Sequence, residues 1–135
     1  MLGHGDTANQ RVPKEVAALR GTPVAAVAAA SSHSLAVTVA GAVFSWGLGT
    51  WHDWGSNTDR DNGLGHGDGA HQLLPRRVEA LAGIEAVHVS AGSHFSVVVD
   101  AAGTAHAFGA NWGKLGLGDA DDRALPTAID GLSLV

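Results

Sequence analysis

The sequence contains no cysteine, and this absence removes several classes of chemistry at once. Without thiols the chain can form no disulfide, use no cysteine nucleophile and bind no metal through sulfur. Aromatic residues are also scarce, because the 135 residues include no tyrosine, three phenylalanines and four tryptophans.

Basic residues are few as well. Lys and Arg number 8 against 13 Asp and Glu, so the formal net charge is -5. Binding to a nucleic-acid backbone requires clustered positive charge, whereas the only adjacent basic pair is Arg76 and Arg77. The composition therefore disfavours nucleic acid as a partner.

Long apolar runs are absent too. No segment reaches the length of a transmembrane helix, and the first residues lack the charged and apolar regions of a signal peptide. We therefore expect a soluble intracellular protein that is not inserted in a membrane. The sequence does not identify its compartment.

Glycine, by contrast, is abundant, with 19 residues, and much of it belongs to an internal repeat. The sequence LGHGD at residues 2–6 recurs at 64–68 and, as LGLGD, at 115–119. Shifting the chain by 62 residues aligns 2–47 with 64–109 without a gap and gives 20 identities in 46 positions. This self-similarity predicts a duplicated structural unit.

The repeat divides the chain into three parts. The first unit covers residues 2–63, the second covers 64–114, and the start of a third covers 115–135. The first unit is longer because residues 48–63 form an insertion, which we expect to be a loop.

Within a unit, the pattern predicts short β-strands. Residues 33–39 alternate apolar and polar side chains, as half-buried strands do, and Ala40-Gly41 predicts a tight hairpin turn. A fourth strand is predicted after each repeated proline, at 16–19 and 78–81, although Ala and Glu there are also compatible with a helical turn. The other predicted strands are 24–30, 33–39 and 42–46 in the first unit, and 86–91, 95–99 and 104–108 in the second.

Repeated units of four short antiparallel strands are typical of β-propeller blades. The blocks at 27–37, 41–47, 64–68 and 109–119 resemble the repeat of the regulator of chromosome condensation family. The resemblance implies an all-β fold of four-stranded antiparallel blades, which in that family close a ring of seven. This chain accounts for about two blades of an incomplete ring, so we expect a fragment of a longer protein or a short subunit of a larger assembly.

The repeated LGxGD motif is predicted to be structural. Two glycines one residue apart suit turns with positive φ, and the aspartate can accept backbone N–H groups within the turn. A phosphate-binding loop would need a preceding strand, a following helix and a third glycine, and the motif does not meet these requirements. The predicted structural positions are Gly3, Gly5, Asp6, Gly65, Gly67, Asp68, Gly116, Gly118 and Asp119.

The insertion is the candidate partner-binding loop. Aromatic side chains beside charges are typical of interface anchors, and propeller loops are where binding residues concentrate. The alternative is a polar loop whose tryptophans pack on their own blade. The candidate binding residues are Trp51, His52, Asp53, Trp54, Asp59, Arg60 and Asp61.

No metal, cofactor or catalytic residue is predicted. Asn57, Asp59 and Asp61 alternate as in a calcium loop, but Asn62 stands where such a loop requires glycine, and no helices flank it. The eight histidines show no established zinc-ligand spacing. Neither a nucleophile elbow nor a catalytic carboxylate pair is apparent, so we expect no enzymatic activity.

Two functional hypotheses remain. The first is a non-enzymatic protein-interaction module, or a structural subunit, that binds through the loops between its strands. The second, implied by the family resemblance, is guanine-nucleotide exchange, in which the protein binds the nucleotide-free state of a small GTPase preferentially. Both hypotheses predict a protein partner, either within a large assembly or as a small GTPase.

Overall fold

The computed structural model describes residues 1–132, which form ten β-strands and two 3₁₀ helices. The end of the predicted third unit, residues 133–135, lies outside the described residues. The strands are β1 (Val24–Ala29), β2 (His33–Thr38), β3 (Val43–Gly47), β4 (Thr50–Asp53), β5 (Thr58–Asp61), β6 (Gln72–Arg77), β7 (Ala86–Ala91), β8 (Phe95–Asp100), β9 (Ala105–Gly109) and β10 (Arg123–Ala128).

Eight of these strands build two similar antiparallel sheets. The first sheet has the order β1-β2-β3-β6, and the second has the order β7-β8-β9-β10. The remaining pair, β4 and β5, forms a hairpin inserted between β3 and β6. The predicted all-β fold of about two four-stranded blades is therefore confirmed.

The first three strands of each blade also match the sequence prediction to within one residue. The strand β8 shows why, because burial alternates along it: Ser96, Val98 and Asp100 are buried, and the intervening residues are partly exposed. At the predicted hairpin turns, Gly41 and Gly103 both adopt φ near +86°, a conformation that glycine accommodates without a steric penalty.

The predicted position of the fourth strand is wrong. Residues Ala17–Leu19 and Glu79–Leu81 form 3₁₀ helices instead. The fourth strand of the first blade is β6, which contains Pro75 and pairs with β3 at the edge of the sheet. Proline is tolerated there because the register is irregular between the Ser45 and Gly47 pairings, so no ladder donor is lost. Each blade is consequently completed by a strand that lies beyond the next LGxGD motif.

The core lies where the two blades meet. Strand β7 packs against β1 and β2, and the buried cluster includes Leu35, Val37, Val89 and Phe108. Val89 is 5% exposed in this interface, whereas its repeat equivalent Val27 on β1 is 70% exposed. The difference arises because the first blade covers β7, while no described residue covers the equivalent face of β1.

The LGxGD turns hold neighbouring segments together. Their glycines have φ between +73° and +90°. The N–H of Gly5 donates to the carbonyl of Leu73 at 3.0 Å, and that of Gly67 donates to the carbonyl of Ala124 at 3.0 Å. Each motif aspartate accepts the backbone N–H two residues further on, in the pairs Asp6–Ala8, Asp68–Ala70 and Asp119–Asp121.

Gly47, at the end of β3, lies where the backbone of residues 32 and 33 approaches closely, and its substitution tests how tightly this region is packed. It adopts φ +118°, and a Cβ atom there would lie 2.4 Å from the Ser32 carbonyl oxygen and 2.7 Å from the His33 Cα. We expect Gly47→Ala to lower the free energy of unfolding by about 3 kcal/mol or more, measured by urea denaturation, because both backbone strain and overlap must be relieved.

The matched control is Gly21→Ala. Gly21 also has positive φ, +80°, but a Cβ atom there would meet nothing within 4 Å. This substitution should therefore cost only about 1–2 kcal/mol, from backbone strain. Equal losses for the two variants would contradict the packing argument.

Candidate functional site

The insertion predicted as a loop is a β-hairpin. Strands β4 and β5 pair in register, with Trp51 opposite Arg60 and His52 opposite Asp59. Because directly opposed residues share a face of an antiparallel pair, the hairpin has two chemically different sides. The inner face carries Trp51 and Arg60 and contacts the second blade, and the outer face carries His52 and Asp59.

On the inner face, Trp51 lies in an aromatic cluster with two side chains from the second repeat unit. Its ring stacks on His94, with centroids 4.1 Å apart and planes 15° apart. Trp112 completes the cluster at 5.6 Å from Trp51 and 6.2 Å from His94. The hairpin is therefore attached to the second blade through ring contacts.

Arg60 provides the polar part of the same attachment. Its Nε and Nη2 atoms donate to the two carboxylate oxygens of Asp122 at 2.8 Å and 2.6 Å. Nη2 also donates to the Asn111 carbonyl at 3.2 Å, and Nη1 lies 3.5 Å from Asp53. The guanidinium carbon is 4.7 Å from the Trp112 ring centroid, within cation–π range.

Asp122 is held as a carboxylate at this junction. Burial acts to raise its pKa, but hydrogen bonds from Arg60 and from the backbone N–H groups of Asn111 and Asp61 lower the pKa overall. The bidentate geometry with Arg60 is the strong form of such a pair.

At the base of the hairpin, Asn62 links three segments. The side chain is fully buried, and its Nδ2 donates to Ser32 Oγ at 3.0 Å and to the Leu48 carbonyl at 2.8 Å. Its Oδ1 lies 2.8 Å from His94 Nδ1. Burial lowers the pKa of His94, which favours the neutral ring that stacks on Trp51.

The outer face is organised around His52. Its Nδ1 lies 2.8 Å from Asp59 Oδ1, and its ring makes an edge contact with Trp54 at a centroid distance of 4.4 Å and an angle of 74°. Trp54 is 84% exposed. The turn beside it is fixed by Asp53, whose carboxylate accepts from the Gly55 N–H and the Ser56 hydroxyl, both at 2.9 Å.

The structure thus divides the seven candidate binding residues into three groups. Trp51, Asp53 and Arg60 belong to the inner attachment, and Asp61 is partly buried at the hairpin base. The remaining three, His52, Trp54 and Asp59, form the outer face. Sequence reasoning missed the second-blade residues that fix the hairpin, since nothing in the local pattern connects them with it: His94, Asn111, Trp112 and Asp122.

The described residues hold neither a metal-binding cluster nor a membrane-spanning helix. Residues 1–132 contain no group of three or more His, Asp or Glu side chains that could hold a metal ion. Within that range there is also no helix long and apolar enough to cross a membrane.

Two successive four-stranded blades with a shared LGxGD turn define a repeat protein of the β-propeller class. A family model described as the regulator of chromosome condensation (RCC1) repeat matches residues 1–37 and 40–99. The chain belongs to the RCC1 repeat family.

Curated relatives agree with this assignment. The ultraviolet-B receptor UVR8 of Arabidopsis thaliana is 34% identical over 129 residues, which cover 95% of this chain and 27% of the receptor. The E3 ubiquitin-protein ligase HERC2 of Homo sapiens is 36% identical over 135 residues, which cover 98% of this chain and 3% of the ligase. The chain thus spans about a quarter of the first relative and a small part of the second.

Solved structures show the same relationship. Human WBSCR16 superposes with a TM-score of 0.62 and 25% identity, covering 83% of this chain and 26% of that protein. Prp20p from Saccharomyces cerevisiae superposes with a TM-score of 0.60 and 25% identity, covering 80% of this chain and 26% of that protein.

Asp61 gives a testable pH dependence. Burial, with a smaller contribution from nearby Asp122, raises the pKa of its carboxyl to about 6. Because the folded state binds this proton more tightly than the unfolded chain does, the stabilisation is fully present below about pH 4 and is lost as the pH rises through about 6. We expect Asp61→Asn to raise the free energy of unfolding by about 1–3 kcal/mol at about pH 7, and to have little effect at about pH 4.

Asparagine is a suitable replacement because its Oδ1 can still accept the Gly63 N–H that Asp61 accepts at 2.8 Å. The control is Asp6→Asn, an exposed site where the side chain accepts the Ala8 N–H in the same way. Denaturant unfolding of both variants at the two pH values tests the prediction. It would be wrong if Asp61→Asn gave no gain at neutral pH, or if Asp6→Asn gave the same gain.

Proposed function

We propose that this chain is a protein-interaction module that binds its partner through the outer face of the β4–β5 hairpin. The observation that carries the proposal is Trp54, which is 84% exposed at the end of the hairpin. Tryptophan is among the residues most enriched at the energetic centres of protein interfaces. An exposed tryptophan on a fixed support has the geometry of a binding anchor.

The hairpin supports this role because it is held in place before any partner arrives. Its inner face is attached by the Trp51–His94 stack and by the two hydrogen bonds from Arg60 to Asp122. Its turn is ordered by the hydrogen bonds to Asp53. A preorganised surface loses less conformational entropy on binding than a mobile loop.

What is known of the structural relatives also supports a protein partner. Prp20p is described as having binding properties to Gsp1p and to histones, and yeast RCC1 (Prp20) has been solved bound to Kap60. The proposed action requires binding alone and involves no covalent step. The chain spans about a quarter of these proteins. A protein partner for this chain is therefore proposed and is not transferred from them.

The proposal predicts that Trp54→Ala removes a partner without unfolding the protein. Trp54 is exposed, so we expect the free energy of unfolding to change by no more than about 0.5 kcal/mol. Affinity purification from the source cells, with quantitative mass spectrometry, should show at least one protein that the wild type captures and the variant does not.

Val12→Ala is the matched control because Val12 is 70% exposed and lies outside the hairpin. It should retain every captured protein. Trp51→Ala is not suitable, since it would remove the stack that fixes the hairpin. If Trp54→Ala captures the same proteins as the wild type, the hairpin is not the binding surface.

Guanine-nucleotide exchange is the second candidate, and the likeness to Prp20p, described with Gsp1p, favours it. The test is the release of fluorescent GDP from Gsp1p with and without the protein. Exchange activity predicts faster release that depends on the concentration of this protein. Unchanged release over a range of concentrations would exclude this activity on Gsp1p.

A further inference from the structure

Building on the proposed function, we infer that the outer face of the hairpin binds a cationic side chain of the partner. An arginine or lysine would lie over the exposed face of the Trp54 ring, beside His52, and pair with the carboxylate of Asp59. The inference names the chemical class of the partner segment, which the proposed function leaves open.

The first component of this site is the open face of the Trp54 ring. The face of an indole attracts cations through its quadrupole. Within residues 1–132, the ring contact of Trp54 is the edge contact with His52, and no arginine or lysine lies over the indole. The ring is therefore oriented by the protein and still available to a partner.

The second component is the carboxylate of Asp59. Its side chain is 74% exposed, and among the described residues its hydrogen bond is the one to His52 Nδ1. His52 therefore contacts both components at once, since its ring packs against Trp54 and its nitrogen pairs with Asp59. A π face and a negative charge are presented side by side on one support.

The inner side of the same hairpin shows this chemistry already completed. There, the guanidinium of Arg60 lies over Trp112 and pairs with the carboxylate of Asp122, and Lys114 Nζ lies 5.6 Å from the same ring. The outer face has the tryptophan and the carboxylate, and the His52 ring contacts both, but among the described residues no arginine or lysine supplies a cation there. A partner that supplies it would reproduce an arrangement that this chain makes within itself.

The negative charge of the hairpin and of the whole chain also favours a cationic partner segment. The hairpin strands contain three aspartates and one arginine, and that arginine is engaged on the inner side. The whole chain carries a formal net charge of -5. A cationic segment is therefore attracted over a long range, whereas an acidic one is repelled.

The experiment compares two blocked heptapeptides, Gly-Ser-Arg-Gly-Arg-Ser-Gly and the same peptide with citrulline in place of both arginines. Citrulline keeps the shape and most of the hydrogen bonds of arginine but has no charge. Titrations are followed by the indole N–H signals in NMR spectra, with the Trp54 signal assigned from Trp54→Phe. We expect the arginine peptide to shift the Trp54 signal and the citrulline peptide to leave it unchanged.

Three variants make the test specific. Trp54→Ala should abolish binding of the arginine peptide, which is followed for this variant by the NMR signals of the peptide because the Trp54 indole is absent. Asp59→Asn should weaken it about threefold or more, because asparagine keeps the acceptor for His52 but loses the charge. Asp6→Asn, which removes an exposed charge outside the hairpin, should retain binding. Equal binding of the two peptides, or no effect of Asp59→Asn, would overturn the inference.

The outcome can be separated from that of the proposed function. If Trp54→Ala loses a cellular partner while arginine and citrulline peptides behave alike, the hairpin binds a protein by apolar contact, and only the cationic inference fails. If Trp54→Ala loses no partner, the proposed function fails whatever the peptides show.

Discussion

The pairing of β3 with β6 is the interaction on which the rest of the structure depends. It joins Phe44 to Arg77 and Ser45 to Arg76, and continues with the Val78 N–H donating to the Val43 carbonyl at 2.8 Å. Since β6 lies beyond the second LGxGD motif, one repeat unit cannot complete its sheet without the next. The second repeat unit therefore supplies the fourth strand of the first blade, and apolar contact between the blades adds to this link.

The pairing of β3 with β6 also determines where the inserted hairpin lies. The chain must leave β3 at Gly47 and return as β6 at Gln72, so an insertion between them emerges at one end of the blade and leaves the sheet intact. The corresponding connection in the second blade runs from β9 to β10 and is organised by Asn111, whose Oδ1 accepts from the Gly113 and Lys114 N–H groups. Equivalent connections of adjacent blades are neighbours in space, and this proximity brings Arg60 to Asp122.

Much of this architecture can be predicted from the sequence, for identifiable reasons. The three inner strands follow from the period-2 alternation and from the Ala-Gly turns, which are local signals. The fourth strand could not be placed because Leu73, Leu74 and Pro75 lack the alternation that marks a strand. The strand Thr58–Asp61 is wholly polar and gives no apolar period at all. The contact between Arg60 and Asp122 joins residues 62 positions apart, so the inner attachment becomes visible only once the blades are placed side by side.

The hairpin and its outer face are held by contacts within residues 1–132. Among the described residues, the interactions that fix the hairpin, from Asn62 with Ser32 to Arg60 with Asp122, are made within the two blades. The exposed face of β1, by contrast, is the equivalent of a face that is covered elsewhere in the same chain, as Val27 and Val89 show. That face of β1 lies on the side of the first blade away from the second, whereas the hairpin contacts the second blade. The presentation of Trp54 is therefore a local property of the hairpin and the second blade, and substitutions in the hairpin report on binding independently of the exposed β1 face.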